Sequence, residues 1–103
     1  YITMNVAIIQ NGEETVAKVD GRLDTLSATE LGDSLSAYTC TPQINLVLDC
    51  SGLEYISSAG LRILLMLHKS IVSKKGKFIL RHLNPEVKSV FDMTGFSQIL
   101  TLE

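Results

Sequence analysis

The sequence predicts a single α/β domain, with a mixed, largely parallel sheet packed with helices in the order ββαβαβαβ. Three observations carry that expectation. Short β-branched runs alternate with segments whose apolar residues recur every three to four positions, the pattern of strands joined by right-handed helical crossovers. An Asn11-Gly12 pair separates the first two runs and marks a hairpin, so those two strands are antiparallel. The run Ile44-Asn45-Leu46-Val47-Leu48-Asp49, preceded by Pro42, is nearly all apolar, which suits a central strand buried on both faces between parallel neighbours.

The elements follow in order. Met4-Asn5-Val6-Ala7-Ile8-Ile9 and Thr15-Val16-Ala17-Lys18-Val19 supply the opening strands. From Ser27 to Tyr38, Leu31, Leu35 and Tyr38 fall at helical spacing, and Ser27 with Glu30 has the form of a capping box. After the central strand, the loop Asp49–Ser58 leads into a second and longest helix, Ser58–Lys75. Its apolar positions are Leu61, Leu64, Leu65, His68 and Val72, and Lys74, Lys75 and Gly76 end it. Lys77-Phe78-Ile79-Leu80 is the next strand. Asn84-Pro85-Glu86 then provides an N-cap, a proline at the first helical position and an acidic first turn, and Val87, Val90 and Phe91 face the core until Gly95. Gln98-Ile99-Leu100-Thr101-Leu102 closes the sheet.

Composition narrows the function. A chain of 103 residues, nearly half of them hydrophobic, has room for one domain over 1–103 and buries one core without metal or disulfide staples. A net charge of −2 with scattered Lys and Arg gives no basic field for nucleic acid, so a protein partner is expected. Lys74, Lys75 and Lys77 read as a solvated helix end. The uncharged apolar stretch Ile63–Leu67 is far too short to cross a membrane, and the opening residues lack the cationic start of a signal peptide, so a cytoplasmic protein is the expectation. Cys40 and Cys50 are too few for a disulfide framework and read as buried or half-buried thiols. Together with His68 and His82 they lack the paired short spacings of a zinc site, so no metal is expected.

The chemistry concentrates in Glu54-Tyr55-Ile56-Ser57-Ser58-Ala59-Gly60-Leu61-Arg62, where a strand hands over to a helix and ligands of α/β sheets commonly collect. Ser57 or Ser58 can cap the helix, act as a nucleophile or accept a phosphate. A nucleophile needs an oriented base, and His68 lies roughly 15 Å along the same helix, with no Gly-x-Ser-x-Gly elbow around either serine. No catalytic residue is therefore assigned. A phosphate suits the helix N-terminus, whose free N–H groups and partial positive charge favour anions. Added to a surface holding Asp24 and Glu54, it would repel a partner that docks through acidic or apolar groups without unfolding the domain. Leu53, Ile56 and Leu61, with Arg62 as a polar rim, are candidates for that docking surface; ordinary core packing competes for Leu53 and Ile56, and Leu61 is the more open.

Asp20-Gly21-Arg22-Leu23-Asp24, Ser51-Gly52-Leu53-Glu54-Tyr55-Ile56-Ser57-Ser58-Ala59-Gly60-Leu61 and Val90-Phe91-Asp92-Met93-Thr94-Gly95-Phe96 together resemble, in order and spacing, the STAS domain of bacterial anti-sigma factor antagonists. The resemblance covers the whole chain. It implies partner switching: the unphosphorylated antagonist binds an anti-sigma factor that is also a serine kinase, and the sigma factor is released. The kinase uses ATP and Mg²⁺, a PP2C-like phosphatase restores the serine, and the antagonist itself catalyses nothing and carries no cofactor. By register on Gly60-Leu61 the family's phosphoserine falls on Ser58, with Ser57 second, and Asp24 matches an acidic residue beside it that supports the partner contact. Partner binding is thereby assigned to Asp24, Ser57, Ser58, Ala59, Gly60, Leu61 and Arg62. One departure stands out: many members carry Asp where this chain has Ser57.

The competing reading is a non-switching STAS module, docking on a transporter or binding a nucleotide within a signalling complex. Ser51-Gly52 and Ala59-Gly60 are too sparse for a phosphate cradle. Exposed apolar surface around the first strand or second helix could support a weak homodimer.

Overall fold

The computed structural model describes residues 4–103. The leader reading rests partly on residues 1–3, which lie outside the described residues. Five strands and three helices alternate as expected: β1 (Met4–Asn11), β2 (Glu14–Leu23), α1 (Thr25–Thr39), β3 (Asn45–Ile56), α2 (Ser58–Ser73), β4 (Lys77–Arg81), α3 (Pro85–Thr94) and β5 (Thr101–Leu102). They form one mixed sheet in the order β1-β2-β3-β4-β5, antiparallel between β1 and β2 and parallel thereafter. The hairpin loop is Gly12-Glu13 rather than Asn11-Gly12. Asn11 still pairs with Glu14, and Gly12 takes the positive φ of 65° at the first loop position.

All three helices cover one sheet face. Ala17 and Val19 of β2, Leu46, Leu48 and Cys50 of β3, and Phe78 and Leu80 of β4 share a single core with Leu31, Leu35, Leu64, Ile71, Val87 and Phe91 from the helices. By the alternation of strand side chains, Val16, Lys18, Val47, Asp49, Ile79 and Arg81 point to the other face. Val47 is nevertheless fully buried there. Arg81 of β4 reaches Glu14 of β2 at 3.4 Å and Glu103 at 2.9 Å, so the pair with Glu14 spans β3 on that face. On that face of β3, Val47 is buried, Asn45 and Asp49 are half-buried and Ser51 is exposed, so the central strand is closed on the helix side and only partly covered on the other.

Several boundaries differ from the sequence expectation. β3 runs on to Ile56, because β2 stays alongside it through the pairs Gly21–Leu53, Arg22–Tyr55 and Leu23–Ile56, so Ser51–Ile56 is strand and not loop. At Gly52 the Asp20 side chain of β2 lies where a Cβ would otherwise sit, and the Asp20–Gly52 pairing keeps the residue in the strand. Helix α2 buries Leu61, Leu64, Leu67 and Ile71, while Val72 is exposed and Leu65 and His68 are only half-buried. Phe96–Gln98 is a 3₁₀ turn, which reduces the closing strand to Thr101–Leu102. α3 keeps its expected Asn84 cap, Pro85 start and Gly95 end.

The two thiols part company. Cys40 is exposed where α1 ends, contrary to expectation, whereas Cys50 is buried in β3 and burial pushes its thiol up to about 12. A thiol-specific reagent is expected to label Cys40 rapidly in the native protein and Cys50 only after denaturation, readable by intact mass. Because folding raises the Cys50 pKa, the native state loses relative stability as pH climbs from 9.0 towards 12.

Candidate functional site

The site forms where two helices begin side by side. β2 ends at Leu23, and its carbonyl accepts from the Ser57 N–H at 2.9 Å. This bond ties the start of α2 to the residue just before the start of α1. Gly60 completes the join: a Cβ there would lie 2.8 Å from Leu23 Cγ, 2.9 Å from the Leu23 carbonyl oxygen and 2.9 Å from Ile56 Cγ1. Only a residue without a side chain lets α2 settle this close to the β2 terminus.

Asp24 caps α1, three residues before the Ser27 of the Ser27–Glu30 box expected from sequence. Its Oδ1 accepts from the Ser27 N–H at 3.1 Å, while the Asp24 N–H donates to Ser27 Oγ at 2.8 Å. The Ser27 hydroxyl is buried and donates in turn to the Arg22 carbonyl at 2.6 Å. The Ser27 backbone hydrogen bond, helped by the Ser27 hydroxyl, holds the Asp24 carboxyl below the ordinary carboxylate range. Asp24 is a fixed negative charge one residue from the Leu23 join.

The two serines are not equivalent. Ser57 is the N-cap of α2: its Oγ accepts from the Gly60 N–H at 3.1 Å and its side chain is half-buried. Ser58 is the first helical residue and is exposed, its hydroxyl in no hydrogen bond among the described residues. Ser57 takes the capping role that an aspartate fills equally well, which accounts for the departure from the Asp-containing pattern. Ser57→Ala is expected to cost about 1 kcal/mol and Ser57→Asp to restore it, measured by urea unfolding.

The remaining assigned residues divide by exposure. Ala59 is half-buried, Gly60 is buried, and Leu61, expected to be open, is 5% exposed and packs into the core. Leu53 and Ile56 are core residues as well. Arg62 is exposed one turn beyond Ser58 on the same helix face. Two features were missed from sequence. Leu26, in the first turn of α1, is 64% exposed beside the join, and Arg22 stacks on the half-exposed ring of Tyr55 at 4.3 Å. Arg22 and Tyr55 are register partners, a pairing visible only once β3 is known to extend that far.

The cleft nearest the serines, lined by Glu54, Tyr55, Ile56, Glu86, Val87 and Val90, is about 170 Å³ and lined by two carboxylates, below the usual size of a ligand pocket. No histidine is hydrogen-bonded to either serine among the described residues; His82 Nδ1 lies instead 3.2 Å from Asp49 Oδ1. Among the described residues no group of three His, Cys, Asp or Glu is placed to hold a metal ion, and no helix is long and apolar enough to cross a membrane. What the geometry defines is a helix start with one exposed hydroxyl that makes no hydrogen bond among the described residues.

Comparison with known proteins places this chain in a family. Residues 5–103 match the STAS domain model, and the chain belongs to that family. It is 36% identical over 84 residues, 82% of this chain and 72% of the relative, to BtrV of Bordetella bronchiseptica, named as a candidate anti-sigma factor antagonist. The fold matches the crystal structure of an anti-sigma factor antagonist from Mycobacterium paratuberculosis, with a TM-score of 0.83 at 24% identity over 96% of this chain and 84% of that one. It also matches the phosphorylated form of the Bacillus cell fate determinant SpoIIAA, with a TM-score of 0.72 at 17% identity over 96% of this chain and 91% of that one.

Proposed function

We propose that this chain is a cytoplasmic anti-sigma factor antagonist whose unphosphorylated form binds an anti-sigma factor serine kinase and so frees a sigma factor, and that phosphorylation of Ser58 ends the binding. One observation carries the reading: at the start of α2, Ser57 spends its hydroxyl on the helix cap while Ser58 presents a free, exposed hydroxyl beside it. BtrV is named as a candidate anti-sigma factor antagonist, and SpoIIAA has been solved in a phosphorylated form; both support the reading.

The electrostatics favour a switch over a lesion. A phosphate on Ser58 adds about −1.5 to −2 charges at the positive end of α2, where helix dipole and Arg62 accommodate it. The fold therefore persists. The partner meets the new charge beside the fixed Asp24 carboxylate, and any acidic or apolar docking group is repelled. Recognition falls to half-buried Asp24 and to the exposed Ser58, Arg62 and Leu26 around the join, while Gly60 and Leu61 hold the surface in shape from beneath. The chain itself works by binding; the kinase supplies catalysis and ATP with Mg²⁺, and a PP2C-like phosphatase reverses the mark.

The test is reconstitution with the anti-sigma factor encoded in the same genome. Added to the preformed anti-sigma–sigma complex, the unphosphorylated chain is expected to displace the sigma factor, seen by size-exclusion chromatography. A complex left intact by a molar excess of folded chain counts against the reading and favours the non-switching docking or nucleotide-binding module.

A further inference from the structure

The two edges of the sheet are built differently. β5 is two residues long, and the residue after it, Glu103, is tied to Arg81 at 2.9 Å. β1 is eight residues long, Met-Asn-Val-Ala-Ile-Ile-Gln-Asn, with no charged residue and no proline. Natural sheets usually blunt an edge with charge, proline, a bulge or brevity, because an open edge is a template for another strand. β1 has none of these devices.

Its open hydrogen-bonding groups can be named. The loop Gly12-Glu13 makes Asn11 and Glu14 a hydrogen-bonded pair, and alternation along an antiparallel ladder then directs the N–H and C=O groups of Asn5, Ala7, Ile9 and Asn11 to β2. Those of Met4, Val6, Ile8 and Gln10 point away from the sheet. Among the described residues no strand pairs with that side.

We propose that β1 pairs antiparallel with β1 of a second copy about a twofold axis at Ala7, joining the two sheets into one. Three features select a second copy as the occupant. The register that uses the whole run Met4–Gln10 against itself is centred on Ala7, bringing Val6 opposite Ile8 and Met4 opposite Gln10 of the other copy in hydrogen-bonded pairs. On the axis two alanines face each other in a non-hydrogen-bonded pair, the closest side-chain approach in such a ladder, where a small residue fits. The run is uncharged, so two identical edges meet without repulsion, and the pairing covers Val6 and Ile8, which one copy leaves half-buried, and brings Asn5 against Ile9, which is 56% exposed. The interface is isologous, as closed dimers require. β2 lies between β1 and β3, the strand that leads into Ser58, so the paired edge does not include that serine.

Charge placed on the axis tests this. Ala7 is exposed on the face away from the helices, so Ala7→Lys and Ala7→Glu leave the core intact. Sedimentation equilibrium is expected to give a dimer for the natural sequence, monomer for each variant alone, and dimer again when the two variants are mixed. A natural sequence that is monomeric at every concentration overturns the proposal, as does a dimer that survives both variants. Amide exchange gives a readout without mutation. The Val6, Ile8 and Gln10 amides are expected to be protected and to lose protection on dilution; free exchange at high concentration overturns the proposal.

Discussion

Ser58→Glu is expected to weaken binding to the anti-sigma factor roughly 30-fold to several thousand-fold, the range that follows from about 2–5 kcal/mol for an uncompensated charge at a contact surface. Titration calorimetry against the purified partner measures it. Stability is expected to be unchanged, because an acidic side chain at the first position of a helix is favourable. Ser58→Ala separates charge from hydroxyl: it is expected to bind as the natural sequence does and to be immune to the kinase. The pair of outcomes is what a switch requires and a lesion in folding cannot produce. Equal affinity for Ser58→Glu and Ser58→Ala contradicts the assignment.

The second large effect is on stability, at Gly60. Gly60→Ala places a methyl 2.9 Å from the Leu23 carbonyl oxygen and 2.8 Å from Leu23 Cγ. Alanine in a helix regains about 1 kcal/mol over glycine, whereas overpacking costs about 1–3 kcal/mol. The steric cost wins here because the nearest oxygen is backbone already engaged by the Ser57 N–H, and it cannot withdraw without giving up that bond. The expected result is a lower Tm by several degrees, at about 4–8 °C per kcal/mol for a domain of this size. Partner affinity is expected to fall with it, since the α1 and α2 starts move apart. An unchanged or raised Tm would show that the join is looser than these distances imply.

Local signals proved good where local physics decides the outcome. The hairpin, the α3 start at Asn84-Pro85 and its stop at Gly95 all rest on turn and cap chemistry within a few residues, and all are found. Ser51-Gly52 misled because both residues favour loops, yet β2 holds them in a ladder extending to Ile56, a tertiary effect that no local window contains. Ser27 was expected to open α1 because serine is a good cap. Asp24 is equally good and sits where β2 releases the chain, which leaves Ser27 the third helical position.

Burial was harder to read than element type. Leu61 and Val72 exchanged roles: α2 lies so close to Leu23 that its stripe runs through Gly60, Leu61, Leu64, Leu67 and Ile71, turning Val72 to solvent. The ion pair of Arg81 with Glu14, which spans β3 on the face where Val47 is buried, joins residues far apart in sequence, and periodicity carries no trace of it. The helix start that carries the two serines was legible. Which of Ser57 and Ser58 is free depends on one hydrogen bond to Gly60, which only the structure supplies.

The most direct measurement of the central claim is intact mass and phosphosite mapping of the protein purified from its own host, repeated with Ser58→Ala and Ser57→Ala. The account predicts a single phosphate that persists in Ser57→Ala and disappears in Ser58→Ala. A folded protein that carries no phosphate under any growth condition would contradict it.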